Sequence, residues 1–186
     1  MNFQVGDIVI HWSYGMGKIV QLDEKVLSGQ KMRYYVVRAR DLTVWVPVNA
    51  TDKCSLRLPA PRSEFEKLFA ILRSPCEPLS EDRLERKTQL LERMKEGKPE
   101  STCRLVRDLT FYRQTKRLNE SDLSILERAL NSLLNEWHFS LSVSLAQAER
   151  ELRQLLEEHS HEAIVFSGTW IELSKSNARR ARAAKP

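Results

Sequence analysis

The spacing of hydrophobic positions changes character near residue 60. Before it, apolar residues come in short runs rich in β-branched and aromatic side chains. "DLTVWVPV" at 41–48 alternates Leu42, Val44 and Val46 against Thr43 and Trp45. This period of two predicts strands over Asp7–His11, Lys18–Leu22, Met32–Arg38 and Leu42–Val48. Turns are expected at Ser13–Gly17, Ser28–Gln30 and Ala39–Asp41. Strands recurring at intervals of about ten residues point to a small twisted barrel. Pro47 ends the regular pairing or lies on an edge. Alternation alone leaves open whether Trp45 packs inward or faces out. Gly15 and Gly17 could suggest a phosphate loop, but such a loop opens a helix and here Lys18-Ile19-Val20-Gln21-Leu22 reads as a strand. Both glycines are expected to serve a turn with positive φ.

The helical period takes over after "SLRLPAPRSE" at 55–64, where Pro59 and Pro61 stiffen a connection. Ser63-x-x-Glu66 reads as a capping box ahead of Phe65, Leu68, Phe69 and Leu72 on one face. Pro75 and Pro78 close that helix. A second is expected from Ser80, carrying Leu84, Leu91 and Met94 inward and stopping at Gly97 before Pro99. A third runs from about Ser101 to Thr115 with Leu105, Val106, Leu109 and Tyr112. The fourth starts near Asn119–Ser121 and presents Leu123, Leu126, Leu130, Leu133, Leu134 and Trp137. Ser144-x-x-Gln147 announces a fifth with Leu145, Ala148, Leu152 and Leu155. The stretch from 161 holds Ala163-Ile164-Val165-Phe166 and ends "SNARRARAAKP", a basic tail expected to lack fixed structure. The fold class is therefore α+β: a β-barrel at 1–58, an all-α helical domain at 59–160 and a tail at 161–186.

Of the 186 residues, 41% are hydrophobic and 30% charged, the balance of a soluble globular protein. No apolar run approaches the ~20 residues that cross a bilayer, and Met-Asn-Phe-Gln-Val-Gly-Asp has no signal-peptide character. A cytoplasmic protein without membrane association is expected. Cys54, Cys76 and Cys103 are odd in number and far apart, which argues for reduced thiols and against zinc or a disulfide framework. The net charge of +5 is unevenly spread. Residues 83–117 carry eleven Lys/Arg against five Asp/Glu, while 118–160 carry three against eight. That asymmetry fits one face turned to a polyanion, or a set of solvated helix faces laced with ion pairs.

An enzyme needs convergent acid, base or nucleophile groups, and no such pattern occurs. Of the four histidines, His11 belongs to or borders a strand, and His159 and His161 read as a solvated helix end; His138 belongs to no motif. No catalytic residue, metal ligand or cofactor is expected, and the chain reads as a binding protein. Two surfaces stand out. One is the barrel edge around Lys25, Trp45 and the Arg38–Asp41 turn, where an exposed strand can pair with a partner's sheet. The other is the basic segment from Arg83 to Arg117, whose cations can neutralise phosphates without reading bases.

"F-x-V-G-D-x-V" at Phe3–Val9, the Gly15/Gly17 turn and "DLTVWVP" at Asp41–Pro47 resemble the start of the CarD family of bacterial transcription regulators. The stop at Gly97, "LVRDL" at Leu105–Leu109, the linker at Leu118–Asp122 and the long helix after it resemble that family's helical part. The likeness covers roughly residues 1–158, and its first motif is shared with the polymerase-interacting module of transcription-repair coupling factors. It implies a Tudor-like (SH3-like) barrel that docks on the β subunit of RNA polymerase. It also implies a helical domain that meets promoter DNA, largely without sequence specificity, at the upstream edge of the bubble and steadies the open complex. The expected polymerase-binding residues are Lys25, Asp41, Thr43, Trp45 and Pro47. The expected DNA-binding residues are Arg83, Arg86, Lys87, Lys98, Arg104, Arg113 and Lys116. Two positions depart from better-known members: Trp45 stands where an Arg helps hold the polymerase, and Arg83 stands where a Trp wedges into the minor groove. The alternative is a polymerase-bound protein–protein adaptor that has lost the DNA wedge; a free nucleic-acid-binding protein is a third reading.

Overall fold

The computed structural model describes residues 2–27, 30–48 and 55–157. Its first part is one antiparallel sheet of β1 (Ile8–His11), β2 (Gly15–Leu27), β3 (Gln30–Ala39), β4 (Leu42–Pro47) and β5 (Leu56–Arg57), in the order β4-β3-β2-β1-β5. Phe3, Val9, Ile19, Tyr35, Val37, Val46 and Leu56 form its buried cluster. Four strands match the expected ones, but β2 runs five residues further. Asp23, Glu24 and Lys25 mask that extension, because there the β2–β3 hairpin outruns the core and Leu22 and Val26 are exposed. The register slips between Ile19↔Val37 and Gln21↔Val36, leaving Val20 as a bulge. β5 lies within the expected linker; its two residues pair with Ile10 and His11.

The two turn glycines do different work. Gly15 has φ +73, as a turn requires, but Gly17 does not have positive φ. A Cβ on Gly17 would lie 2.7 Å from Val37 Cγ1 and 2.9 Å from the Arg38 carbonyl oxygen, so this site needs a missing side chain rather than a special backbone.

Five helices follow: α1 (Phe65–Arg73), α2 (Arg83–Lys95), α3 (Pro99–Thr115), α4 (Glu120–Leu141) and α5 (Leu145–Glu157). The expected Ser63 capping box does not form. A 3-10 turn at Arg62–Glu64 precedes α1, and Glu64 gives no side-chain cap. Asp82 rather than Ser80 caps α2, its Oδ1 accepting from the Leu84 and Glu85 N–H groups at 3.0 and 2.8 Å. Asn119 caps α4, and Ser144 Oγ accepts from the Gln147 N–H at 3.1 Å ahead of α5. Leu68, Leu72, Leu90, Leu105, Leu109, Leu133 and Trp137 anchor the helical core, with Phe69 4.6 Å from the Trp137 ring. The inward stripe of α2 is Arg86, Leu90 and Met94; Leu84, expected inside, is 74% exposed. Leu145, expected inside as well, is about half exposed. The expected tail lies outside the described residues.

Candidate docking edge and basic helical face

β4 pairs only with β3 among the described residues, so its outer row of backbone N–H and C=O groups is free for another strand. Val46 belongs to the buried cluster and Val44 packs against it, which turns Thr43, Trp45 and Pro47 to the opposite face. On that face Trp45 is 44% exposed. The Lys25 ammonium lies 4.1 Å from the centroid of its rings, and its indole N–H donates to Asp23 Oδ2 at 3.3 Å. Lys25 reaches this face because of the bulge at Val20. After the slip it pairs with Met32, in the same row as Val36, which is opposite Trp45. The Tyr34 hydroxyl donates to Met32 Sδ at 3.7 Å next to this patch. Asp41 is exposed on the β3–β4 turn, after Arg40 at φ +52. Lys25 and Trp45 are thus in contact, Thr43 and Pro47 flank them on one face, and Asp41 stands at the end of the strand. Asp23 and Met32 belong to the patch as well, over the buried Tyr34; their membership depends on the bulge register, which alternation does not signal.

The basic helices divide into internal and free cations. Arg86 is 3% exposed and bonded to Asp122 Oδ2 at 3.0 Å, to the Ser80 carbonyl at 2.7 Å and to the Tyr112 hydroxyl at 3.1 Å. This corrects the expectation that it meets DNA: its guanidinium is consumed inside the fold. Arg93 and Arg107 converge on Asp108, at 2.6 and 2.8 Å, and on Glu77 at 3.0 and 3.4 Å. Arg104 is half-exposed with Glu77 3.8 Å away. Lys116 pairs with Glu81, and their hydrogen bond holds the Lys116 ammonium above and the Glu81 carboxyl below their ordinary ranges. Arg83, Lys87, Lys95, Lys98, Arg113 and Arg117 have no ion pair among the described residues.

Those free cations are not one cluster. Arg83 and Lys87, four residues apart on α2, project together around the exposed Leu84. The contact of Arg86 with Tyr112 brings the end of α3, with Arg113 and Lys116, beside the start of α2. Lys98 stands just before α3 at the other end of α2, about 20 Å away at 1.5 Å per residue, and makes no side-chain cap. Lys98 and Arg104 therefore stand apart from the Arg83 end.

The remaining reactive groups have structural surroundings. His11 Nδ1 accepts from the backbone N–H groups of Ser13 and Tyr14 at 3.0 and 3.3 Å, and burial lowers its pKa. Burial, with the Glu136 and Glu100 carboxylates, pushes the Cys103 thiol up and keeps it protonated. Among the described residues no His/Cys/Asp/Glu cluster could hold a metal, and no helix is long and apolar enough to cross a membrane.

A small sheet whose edge strand β4 pairs on one side only among the described residues, with an outward Trp, joined to a helical bundle with exposed Arg and Lys, makes a two-module protein. Residues 3–58 match the family described as "CarD-like/TRCF RID domain", and residues 67–153 match "CarD, C-terminal domain". "Putative transcription factor YdeB" of Bacillus subtilis (strain 168) is 27% identical over 139 residues, which cover 72% of this chain and 89% of that protein. The chain belongs to the CarD family of transcription factors, and its N-terminal module is of the RNA polymerase-interacting kind.

Proposed function

We propose that this protein docks on the β subunit of RNA polymerase through the β4 edge, with Trp45 and Lys25 as its anchor, and lays the Arg83 end of its helical domain on promoter DNA. The observation that carries the docking is the free β4 edge beside a Trp held outward by Lys25 and Asp23. Backbone pairing supplies affinity along such an edge, and Trp is among the side chains most enriched at interface hot spots. Asp41, Thr43 and Pro47 complete the contact.

On the DNA side, Arg83, Lys87 and Arg113 neutralise phosphates, with Lys116 beside them, and Lys98 and Arg104 reach a separate part of the backbone. Leu84 places exposed apolar surface between Arg83 and Lys87, of the kind that enters a base step. Bound there, the protein changes the lifetime of the open complex. The test is the half-life of a heparin-challenged promoter complex with and without the protein. A changed half-life that reverts on Leu84→Ser with Arg83→Ala is expected; an unchanged half-life overturns the reading. The adaptor alternative draws on the internal pairing of Arg86, Arg93 and Arg107, which leaves fewer cations for DNA than their number in sequence implies. Under it, the polymerase is bound and the half-life does not move.

A further inference from the structure

We infer that Arg57 is a positioning residue: it braces the sheet against α2 and α4 and thereby fixes the DNA-facing end of α2 relative to the docking edge. The inference rests on the two-contact reading above. Arg57 lies on β5 and spends its guanidinium on the helical bundle. Nη1 and Nη2 donate to Glu136 Oε1 and Oε2 at 2.5 and 2.7 Å, and Nε donates to the Gly97 carbonyl at 2.6 Å. Glu136, on α4, is 1% exposed and also accepts from the Ala60 N–H at 2.8 Å. One side chain thus ties β5, the connection after it, the α2–α3 turn and the C-terminal part of α4. Gly97 has φ +65 and its Cα side faces Trp12 Cβ, so β1 and the α2–α3 turn approach closely at the same place. Beside Arg57, the residues Ile10, Trp12, Met94, Leu105 and Ala129 line a gap of about 20 Å³.

The consequence is mechanical. α2, about 20 Å long, is fixed within the helical domain by Arg86, Leu90 and Met94, so the Arg57 tie at the turn after it sets how that whole domain, with Arg83 and Leu84 at its far end, leaves the sheet. Once β4 is docked, DNA contact becomes an intramolecular event, and its effective concentration depends on how narrowly the linked geometry is held. A loosened brace spreads the Arg83 end over many positions and lowers that concentration, although neither binding surface is altered. Lys cannot replace Arg here, because it lacks the planar fork and the separate Nε donor.

The test compares the full chain with Arg57→Lys and with Glu136→Gln, the second being isosteric in case the first unfolds. Circular dichroism melts check folding. Nitroxide labels at Val26→Cys and Thr88→Cys, in a chain whose native cysteines are replaced, report the distance distribution between hairpin and α2. The variants are expected to broaden that distribution and to reduce the effect on open-complex lifetime about fivefold, the lower end of ordinary coupling between sites. Affinity for free polymerase and for free promoter DNA should each stay within about twofold, since neither surface is touched. An unchanged distance distribution in both folded variants, or a broadened one with an undiminished lifetime effect, overturns the inference. If the parent chain itself fails to move the lifetime, the two-contact reading fails instead, and the label distances still decide whether Arg57 holds the modules.

Discussion

The ammonium of Lys25 stands over the Trp45 ring at 4.1 Å, joining two residues twenty positions apart on an exposed sheet face. The contact holds the indole outward, with Asp23 taking its N–H. Truncation of a Trp anchor at an interface costs about 2 kcal/mol or more, roughly thirtyfold in Kd. Trp45→Ala should therefore weaken polymerase binding by that order, and Lys25→Glu with Trp45→Ala should abolish it. Because the ring is half in solvent, the unfolding midpoint should hardly move. Surface plasmon resonance on immobilised polymerase reads the first effect and urea unfolding the second; full affinity in the double variant would place the docking surface elsewhere.

Cations in the helical domain should separate into two behaviours. Arg83→Ala with Lys87→Ala removes two exposed charges, and each phosphate that is no longer neutralised lowers the slope of log affinity against log salt by about 0.9. A slope smaller by about two, with unchanged stability, is expected in fluorescence anisotropy with duplex DNA. Arg86→Ala should do the reverse. It strands the buried Asp122 carboxylate, which costs about 3 to 5 kcal/mol, and it leaves the salt slope alone in whatever fraction stays folded. Arg86→Met with Asp122→Leu should recover much of that loss, because apolar packing can replace a buried pair. Equal stability of Arg86→Ala and the parent chain would refute the internal role.

Most of the architecture is legible in sequence, because it depends on local spacing. The period of two marks four strands, the period near four marks five helices, and "F-x-V-G-D-x-V" points to the family. What escapes depends on pairing across distance. Lys25 joins Trp45 only because Val20 bulges out of register; without the slip its side chain would face the other side of the sheet. β5 is two residues long, too short for any period. Leu84 and Arg86 exchange their expected places because an Arg with a buried carboxylate partner can occupy a core position, and hydrophobic patterning counts it as surface. The Arg57–Glu136 brace spans 79 positions and has no local sign.

Gly17 should tolerate a side chain less well than Gly15, for different physical reasons. Gly17→Ala drives a methyl into Val37 and the Arg38 carbonyl, and overpacking of this kind costs about 1 to 3 kcal/mol. At Gly15 the space is open and only the left-handed backbone is strained, about 1 kcal/mol for alanine. Gly15→Asn should be milder still, since Asn accepts that conformation. Denaturation midpoints of the three variants rank them; a Gly17→Ala protein as stable as Gly15→Asn would mean that the β2–β3 pairing is looser than described.

His11 gives the fold a dependence on pH whose sign follows from its surroundings. Burial lowers its folded pKa below the ordinary 6.5, and Nδ1 already accepts two backbone N–H bonds, so a proton there would break both. In the window between the lowered folded value and 6.5 the unfolded chain binds more protons than the folded one, and stability rises with pH. The contribution is complete above 6.5 and is lost as pH falls through that window. His11→Gln keeps an acceptor and removes the titration. Unfolding free energies measured at about pH 7.5 and about pH 5.5 should fall for the parent chain, with a shallower fall for the variant. The ring touches Tyr14 and Trp12, and Trp12 packs on the helical core, so the acid-sensitive part of the fold is the β1–β2 turn where the two modules meet. Tryptophan fluorescence should therefore report the change before the far-ultraviolet circular dichroism does. Parallel pH profiles for parent and variant would remove His11 from this role.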